Sequence, residues 1–469
     1  MRGDFTRDSF DAANRFRRVL LQQGRVQLDA DFNEQSSILL RHGEILATAL
    51  LGRFGGPTNI VDDAGRSAPN DGFKIETGGS FKIGAGRYFV DGILCENFAV
   101  RLDFLEQPDF PTTADDALPS VPFLVYLEVF ERSLAAVQDD AISEPALEGL
   151  DTAARSRVIW QVKVLVPPTD APPIPTAPVT DLLWNDWLDI LDPPGRGILR
   201  ARTNSGVPND GNPCIVPIAS AFRGEDNQLY RVEIHDGGKA TGKAGGATLK
   251  WSRENGSVLF PIESLDGNAA TVTSLGRDRR LGLKPGDWVE VTDDGRELRR
   301  EEVLPLFKVL NIVRDQRLVV LEEREDVELP HYDIDDARHP LLRRWDGGDA
   351  KPFTEVAADS DAFRPLENGI EIQFQQQSTS RYRSGDYWLM PARVALGGII
   401  WPRDADGEPK PLPPRGIARH FAPLAAGSAG AFTDLRRLFD PLAPAPLAPA
   451  PPAAPSPSSV ARGPKPRAK

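Results

Sequence analysis

The segment "GGKATGKAG" puts four residues between Gly237 and Gly242-Lys243, the spacing of a loop whose backbone amides and lysine cradle phosphate. Ala244 stands where a hydroxyl would hold magnesium, and the following "ATLKWSREN" alternates like a strand, so no helix N-terminus would face the phosphates. It reads as a hairpin loop. "HYDIDDARH" gathers His331, Asp333, Asp335, Asp336 and His339, but its histidines are eight apart instead of four, and it reads as a solvated acidic loop. "RDADGEP" opens like a calcium loop with Asp404, Asp406 and Gly407, lacks the later ligands, and reads as an exposed turn. The pair Cys95 and Cys214 makes no CxxC motif, and neither GxSxG nor HExxH occurs. With 68 acidic residues a glycosidase dyad is neither located nor excluded. Trp251, Trp288, Trp345, Trp388 and Trp401 have faces that stack on sugars, though strand tryptophans more commonly fill cores. The "RGD" at 2–4 is a chance tripeptide at a mobile terminus. These residues support no catalytic constellation, cofactor or metal site, and the expectation is a protein that is not an enzyme.

A chain of 469 residues exceeds one ordinary core. Its formal charge of −13 argues against nucleic acid as a partner. No run of roughly 18 apolar residues offers a membrane span, and the N-terminus lacks the apolar stretch of a signal peptide. The expected location is cytoplasmic.

The elements that would position any site begin with helices. "FDAANRFRRVLLQQG" puts Phe10, Phe16, Leu20 and Leu21 near one helical face, with Gly24 at its C′ position. A second helix is expected from Asp31 as N-cap, with Glu34 completing a capping box. It runs through Leu39, Leu46 and Leu50 to Gly52, despite Gly43 inside it. After "GGP" the texture turns to short alternating strands with glycine turns, as in "GRYFVDGILCEN". "DLLWNDWLDIL" is helix-sized, with Trp184 and Trp187 on its apolar stripe. "WVEV" reads as a strand and "DDG" as a hairpin turn of a small barrel closed by "FKVLNIV" and "RLVVLEE".

The expected fold class is mainly β and multi-domain, with sandwich and small-barrel modules. The division is 1–56 helical assembly segment, 57–180 β domain, 181–270 helix plus β region, 271–330 small barrel, 331–440 C-terminal β region and 441–469 disordered Pro/Ala-rich basic tail.

"GDFTRDSF…RVLLQQGRVQLDADFNEQ" resembles the N-terminal signature of a bacterial domain-of-unknown-function family whose members belong with phage-tail-like particles, including contractile injection systems and tail-fibre or baseplate-type proteins. The resemblance continues through "YLEVFER", "GLDTAARSRVIWQVKV", "LKWSRENGSVLFPI", "SGDYWLMPARV" and "GIARHFAPLA". It implies a structural or adaptor role among other subunits of such a particle, homo-oligomeric when assembled, and supplies no catalytic residues. The candidate assembly interface is Leu20, Leu21, Gly24, Leu28, Asp31, Asn33, Glu34, Gln35, Leu39 and Leu46. Periodicity does not distinguish an internal from an external partner for this stripe. The alternative is a glycan-binding or glycan-cleaving fibre protein using exposed Trp388, Trp401 and Asp386.

Overall fold

A computed structural model describes the chain apart from residues 62–64, 79, 114–115, 148–149, 205–220, 300–302, 326, 335, 350–351, 358–359, 378–380, 429 and 441–469. Cys214, Asp335 and the C-terminal tail therefore lie outside the described residues.

The fold is mainly β, and its three cores are nested in sequence. The outer core lies between two four-stranded sheets. One holds Arg155–Leu165, Phe123–Leu134, Arg419–Ser428 and Ala431–Asp434 in that order; the other holds Leu438–Phe439, Phe54–Pro57, Gly86–Val90 and Ile93–Asn97. Alternation along Phe123–Leu134 and Arg155–Leu165 turns Leu127, Val129 and Val162 inward. Helix α2 (Asp181–Leu191) seals this core, capped by the Thr180 hydroxyl. Its Trp184 ring meets Phe54 edge-on at 6.1 Å, and the indole N–H donates to the Phe421 carbonyl at 3.0 Å.

Inside that frame sits a second sandwich. Three strands (Ile198–Thr203, Ile370–Gln375, Arg364–Glu367) pack on five (Gly347–Asp349, Leu249–Ser252, Gln228–Ile234, Tyr387–Arg393, Gly398–Ile399) around Phe353, Phe374, Tyr382 and Trp388. Inside that sandwich sits a closed six-stranded barrel. Its order is Leu259–Asp266, Ala269–Val272, Leu318–Leu321, Phe307–Val313, Trp288–Thr292 and Leu341–Trp345. The barrel thus draws its first and last strands from outside the 271–330 segment. The outer sheet is completed only by residues 419–439, far along the chain from its partner Phe123–Leu134.

Two local expectations need correction. The residues after "WVEV" form a short helix, Asp294–Arg299, instead of a hairpin turn, because the Asp293 carboxylate accepts the Arg296 amide at 2.8 Å. The first expected helix is absent. Residues 12–14 make one 3-10 turn, Arg15 adopts φ 57°, and the chain continues without helix to a turn at Gly24, φ 70°. A solitary helix of that length is marginal in water, and Arg15, Arg17 and Arg18 crowd like charges along it. Among the described residues no helix is long and apolar enough to cross a membrane.

Candidate functional site: an outward-facing helix on an anchored arm

Helix α1 (Asp29–Leu51) is the longest among the described residues. It begins two residues before the expected Asp31 cap; Leu28 holds the N-cap position without a side-chain bond. Asp29 and Asp31 lie in the first turn, where a carboxylate opposes the positive end of the helix dipole. Gly52, φ 82°, ends the helix, its amide bonded to the Thr48 carbonyl at 2.9 Å.

This helix is amphipathic in the inverse sense. At about 100° per residue, Phe32, Ser36, Leu39, Gly43, Leu46 and Leu50 fall within about 40° of one line. Phe32 (55%), Leu39 (60%), Leu46 (55%) and Leu50 (68%) are exposed. The charged residues of the same stretch, Glu34, Arg41 and Glu44, lie on the opposite half, with Ala30 and Ile38 buried against the body. Periodicity had left the partner of this stripe open. Among the described residues, the stripe has none.

The seat of the helix is the Asp91-Gly92 hairpin turn, where both residues have positive φ (46° and 85°). The Glu44 backbone rests directly on Gly92, so closely that a Cβ there would lie 2.2 Å from the Glu44 carbonyl oxygen. Asp91 also takes the Arg53 guanidinium at 2.9 Å and His420 at 3.0 Å, fixing the turn.

The arm that precedes α1 laces along it. The Thr6 amide donates to Asp29 at 2.8 Å, the Ser9 hydroxyl to Glu34 at 2.6 Å, and the Val19 amide to Gln35 at 2.8 Å. Glu34 is therefore occupied by Ser9 instead of capping its own helix. Leu20, Leu21, Val26 and Leu28 remain exposed, as does Phe16. Gly24 forms the arm's turn, and Asn33 and Asp31 sit beside the outward stripe's first turn.

The arm's root is not mobile. Arg2 enters a buried charge network where the three cores meet. Its guanidinium pairs with Glu233 at 2.6 Å and Glu297 at 3.1 Å. Glu297, on the short helix Asp294–Arg299, is shared with Arg132 at 2.8 Å and Arg343 at 2.8 Å and accepts from Gln138 at 3.0 Å. Glu290 takes Lys250 at 2.7 Å and the Trp345 indole at 3.0 Å, and Arg231 pairs with Glu233 at 2.5 Å. Arg132 comes from the outer sandwich, Arg231 and Glu233 from the middle one, and Glu290 and Arg343 from the barrel. Farther along, Asn255 donates to the Gly3 carbonyl at 2.9 Å and Arg393 to the Thr6 carbonyl at 2.8 Å.

Burial alone would raise these carboxyls; the surrounding cations override it. Glu233 is held well below the usual carboxylate range by Arg2, Arg231 and Lys250, and Glu290 is brought down to about 2 by Lys250, Arg2 and Arg343. Burial, reinforced by Lys250, takes His235 down to about 4, so its imidazole is neutral. A cavity of about 1260 Å³ opens beside the network. Glu233, Glu290 and Glu297 of the network are each held low and shared among cations. The arrangement is suited to locking three cores and one arm together. Sequence reasoning missed it because Arg231 and Glu233 alternate along their strand as ordinary solvent-facing charges would.

The residues considered for sugar contact lie in the core. Trp388 is 1% exposed, with its indole N–H on the Leu412 carbonyl at 2.9 Å; Trp401 is 8% exposed, donating to the Lys410 carbonyl at 2.9 Å. Asp386 is 3% exposed and paired with Arg196. The expectation that they face solvent fails because each fills a hydrogen-bonded place in the middle sandwich or at its edge. His339 contacts Asp294 and His331 contacts Asp333, while Asp336 is held by Arg338. Gly237 to Lys243 form the loop between Gln228–Ile234 and Leu249–Ser252, and Asp404 caps its own turn by accepting the Asp406 and Glu408 amides. Cys95 is buried, and burial pushes its thiol up.

The family of unknown function DUF6519 matches residues 1–171 and 197–454, which takes in the arm, α1, the strands of all three cores and the charge network. The chain belongs to this family. No curated protein and no solved structure matches it. The break in the DUF6519 match at 172–196 falls on α2 and its approaches, while the arm and helix are covered without interruption.

Proposed function

We propose that this DUF6519 chain is a non-enzymatic structural or adaptor component of a phage-tail-like contractile particle, of baseplate, collar or fibre type, docking on other subunits through its arm and helix α1. The observation that carries the docking role is where apolar surface lies. Among the described residues, 11 of the 28 exposed large apolar side chains fall between Phe16 and Leu50. Scattered exposed apolar residues are normal; a continuous set on one helix and its arm marks an interaction surface. Each such leucine, going from about half exposed to buried, stabilises a contact by roughly 1 kcal/mol. The charge network supports the same reading, since a docking element transmits force only if its root is fixed. The particle assignment rests on the resemblance of "RVLLQQGRVQLDADFNEQ" and the later segments.

The test purifies particles from the native cells by a tag on the full chain, with electron microscopy of the eluate. The wild-type chain is expected on tail-like particles, and the Leu39→Glu/Leu46→Glu chain, correctly folded by circular dichroism, is expected to be absent from them. Equal incorporation of both, or no particles under conditions that preserve them, overturns the reading.

A further inference from the structure

The outward stripe of α1 has a pattern that identifies its partner. Phe32, Leu39 and Leu46 recur every seven residues, and Ser36, Gly43 and Leu50 recur every seven between them, the spacing of a two-helix seam. Gly43 is the informative member. Glycine weakens a helix interior, yet the chain's own fold gives no reason for it here, because a Cβ at Gly43 would meet nothing within 4 Å. Ser36 is likewise small and exposed, its hydroxyl turned back onto the Phe32 carbonyl at 3.1 Å. The stripe therefore has two gaps, at 36 and 43, and four protrusions.

Antiparallel pairing of two such helices about a two-fold axis at residue 41 matches the gaps with protrusions. Ser36 then faces Leu46 of the second copy, Gly43 faces Leu39, and Phe32 faces Leu50, each layer occurring with its two-fold mate. Interdigitation of large with small residues is what packed helix seams require. Parallel pairing would instead set Gly43 on Gly43 and Ser36 on Ser36, leaving voids. Charge agrees: between Phe32 and Leu50 the outward half carries no Asp, Glu, Lys or Arg, so identical copies of a chain with net charge −13 meet there without like charges opposed. Area sets a further requirement. The stripe is about 27 Å long and about 10 Å wide, so a helix pair covers roughly 540 Å² in total, below the roughly 1,200 Å² at which specific interfaces begin. The arm, tied to α1 by the Val19–Gln35 bond, adds the exposed Leu20 and Leu21 to the apolar surface available to a second copy.

We infer that the partner of α1 is α1 of a second copy of this chain, zipped antiparallel with Leu39 of each copy seated on Gly43 of the other. The inference rests on the docking reading above and names the subunit that α1 meets.

The test uses the full-length chain with Cys214→Ser. Sedimentation at concentrations up to about 100 μM is expected to give twice the chain mass of 51.3 kDa, and Leu39→Glu/Leu46→Glu is expected to halve it. Register is read by oxidising an equimolar mixture of Leu39→Cys and Gly43→Cys chains. Crosslinking that requires both variants supports the antiparallel seam; crosslinking of Leu39→Cys chains alone, in parallel register, overturns it. A monomer at every concentration, with folding intact, overturns pairing with a second copy. Loss of the dimer with unimpaired particle incorporation removes the docking role of α1 and leaves the dimer standing, so the two readings fail separately.

Discussion

Replacing Glu290 with Gln tests whether the buried network stabilises the assembly of cores through its charges. Gln keeps the shape but offers one acceptor oxygen where Glu290 uses two, one for Lys250 and one for the Trp345 indole, so the change removes the charge and one hydrogen bond with little repacking. The folded carboxyl titrates at about 2 against an ordinary 4.5, a difference equivalent to about 3 kcal/mol. Because the folded value is the lower one, this stabilisation is complete above about pH 4.5 and is lost as the pH falls through about 2. The gap between wild type and Glu290→Gln is therefore expected to be about 3 kcal/mol at pH 7 and about 1 kcal/mol at pH 3. Urea titrations followed by near-ultraviolet circular dichroism of the barrel tryptophans, run on both chains at both pH values, measure it. Comparing the two chains at each pH cancels the parallel losses from Glu233 and Glu297. A gap of the same size at pH 7 and pH 3 would show that hydrogen bonding or packing, not charge, is what Glu290 contributes, and no gap at pH 7 would refute the network's role in stability.

Gly92→Ala places a methyl group against the Glu44 backbone at a positive-φ turn, so it is expected to lift α1 from its seat while leaving the cores folded. Hydrogen exchange should then quicken at least tenfold across 38–51 and stay unchanged in the barrel strands; unchanged exchange in α1 would contradict the seating. Trp388→Ala removes a ring that meets Phe374 at 5.7 Å in the middle core and is expected to destabilise it by about 3–5 kcal/mol in urea. A folded, fully stable Trp388→Ala chain with altered binding of bacterial polysaccharide would instead return Trp388 to a sugar-contact role.

What the sequence showed and hid divides by where each residue's partner lies. Helix α2 was legible because its signals are local: Thr180 caps it, Trp184 and Trp187 lie at a helical interval, and Asp192-Pro193 follows. The strand–Asp91-Gly92–strand hairpin was legible for the same reason. That Gly92 also carries the weight of α1 was not, because the contact joins residues far apart along the chain. In "DDGREL" the hairpin-like Asp-Gly pair concealed a helix start, with Asp293 as the overlooked N-cap, its carboxylate taking the Arg296 amide. "RFRRVLL" has the apolar spacing of a helix but no surface to pack on, and periodicity cannot report a missing neighbour. The outward stripe of α1 was legible as a stripe; its direction is a property of the fold.

The nesting of the cores constrains how the chain is made. The barrel and the sandwich around it are continuous blocks, ending by about residue 412, and each can close on contacts already synthesised. The outer sheet cannot: Phe123–Leu134, emerging early, waits nearly three hundred residues for Arg419–Ser428. At about 5–20 residues per second on the ribosome, that interval is roughly 15–60 seconds during which an apolar sheet edge is unpaired. The order of completion runs from the innermost core outward, and the seat of α1 is among the last parts finished, because His420, which holds Asp91, arrives with Arg419–Ser428. A chain interrupted anywhere before residue 419 would carry the exposed helix without a secured base, so the fold delays the docking element's readiness until nearly all of the protein exists.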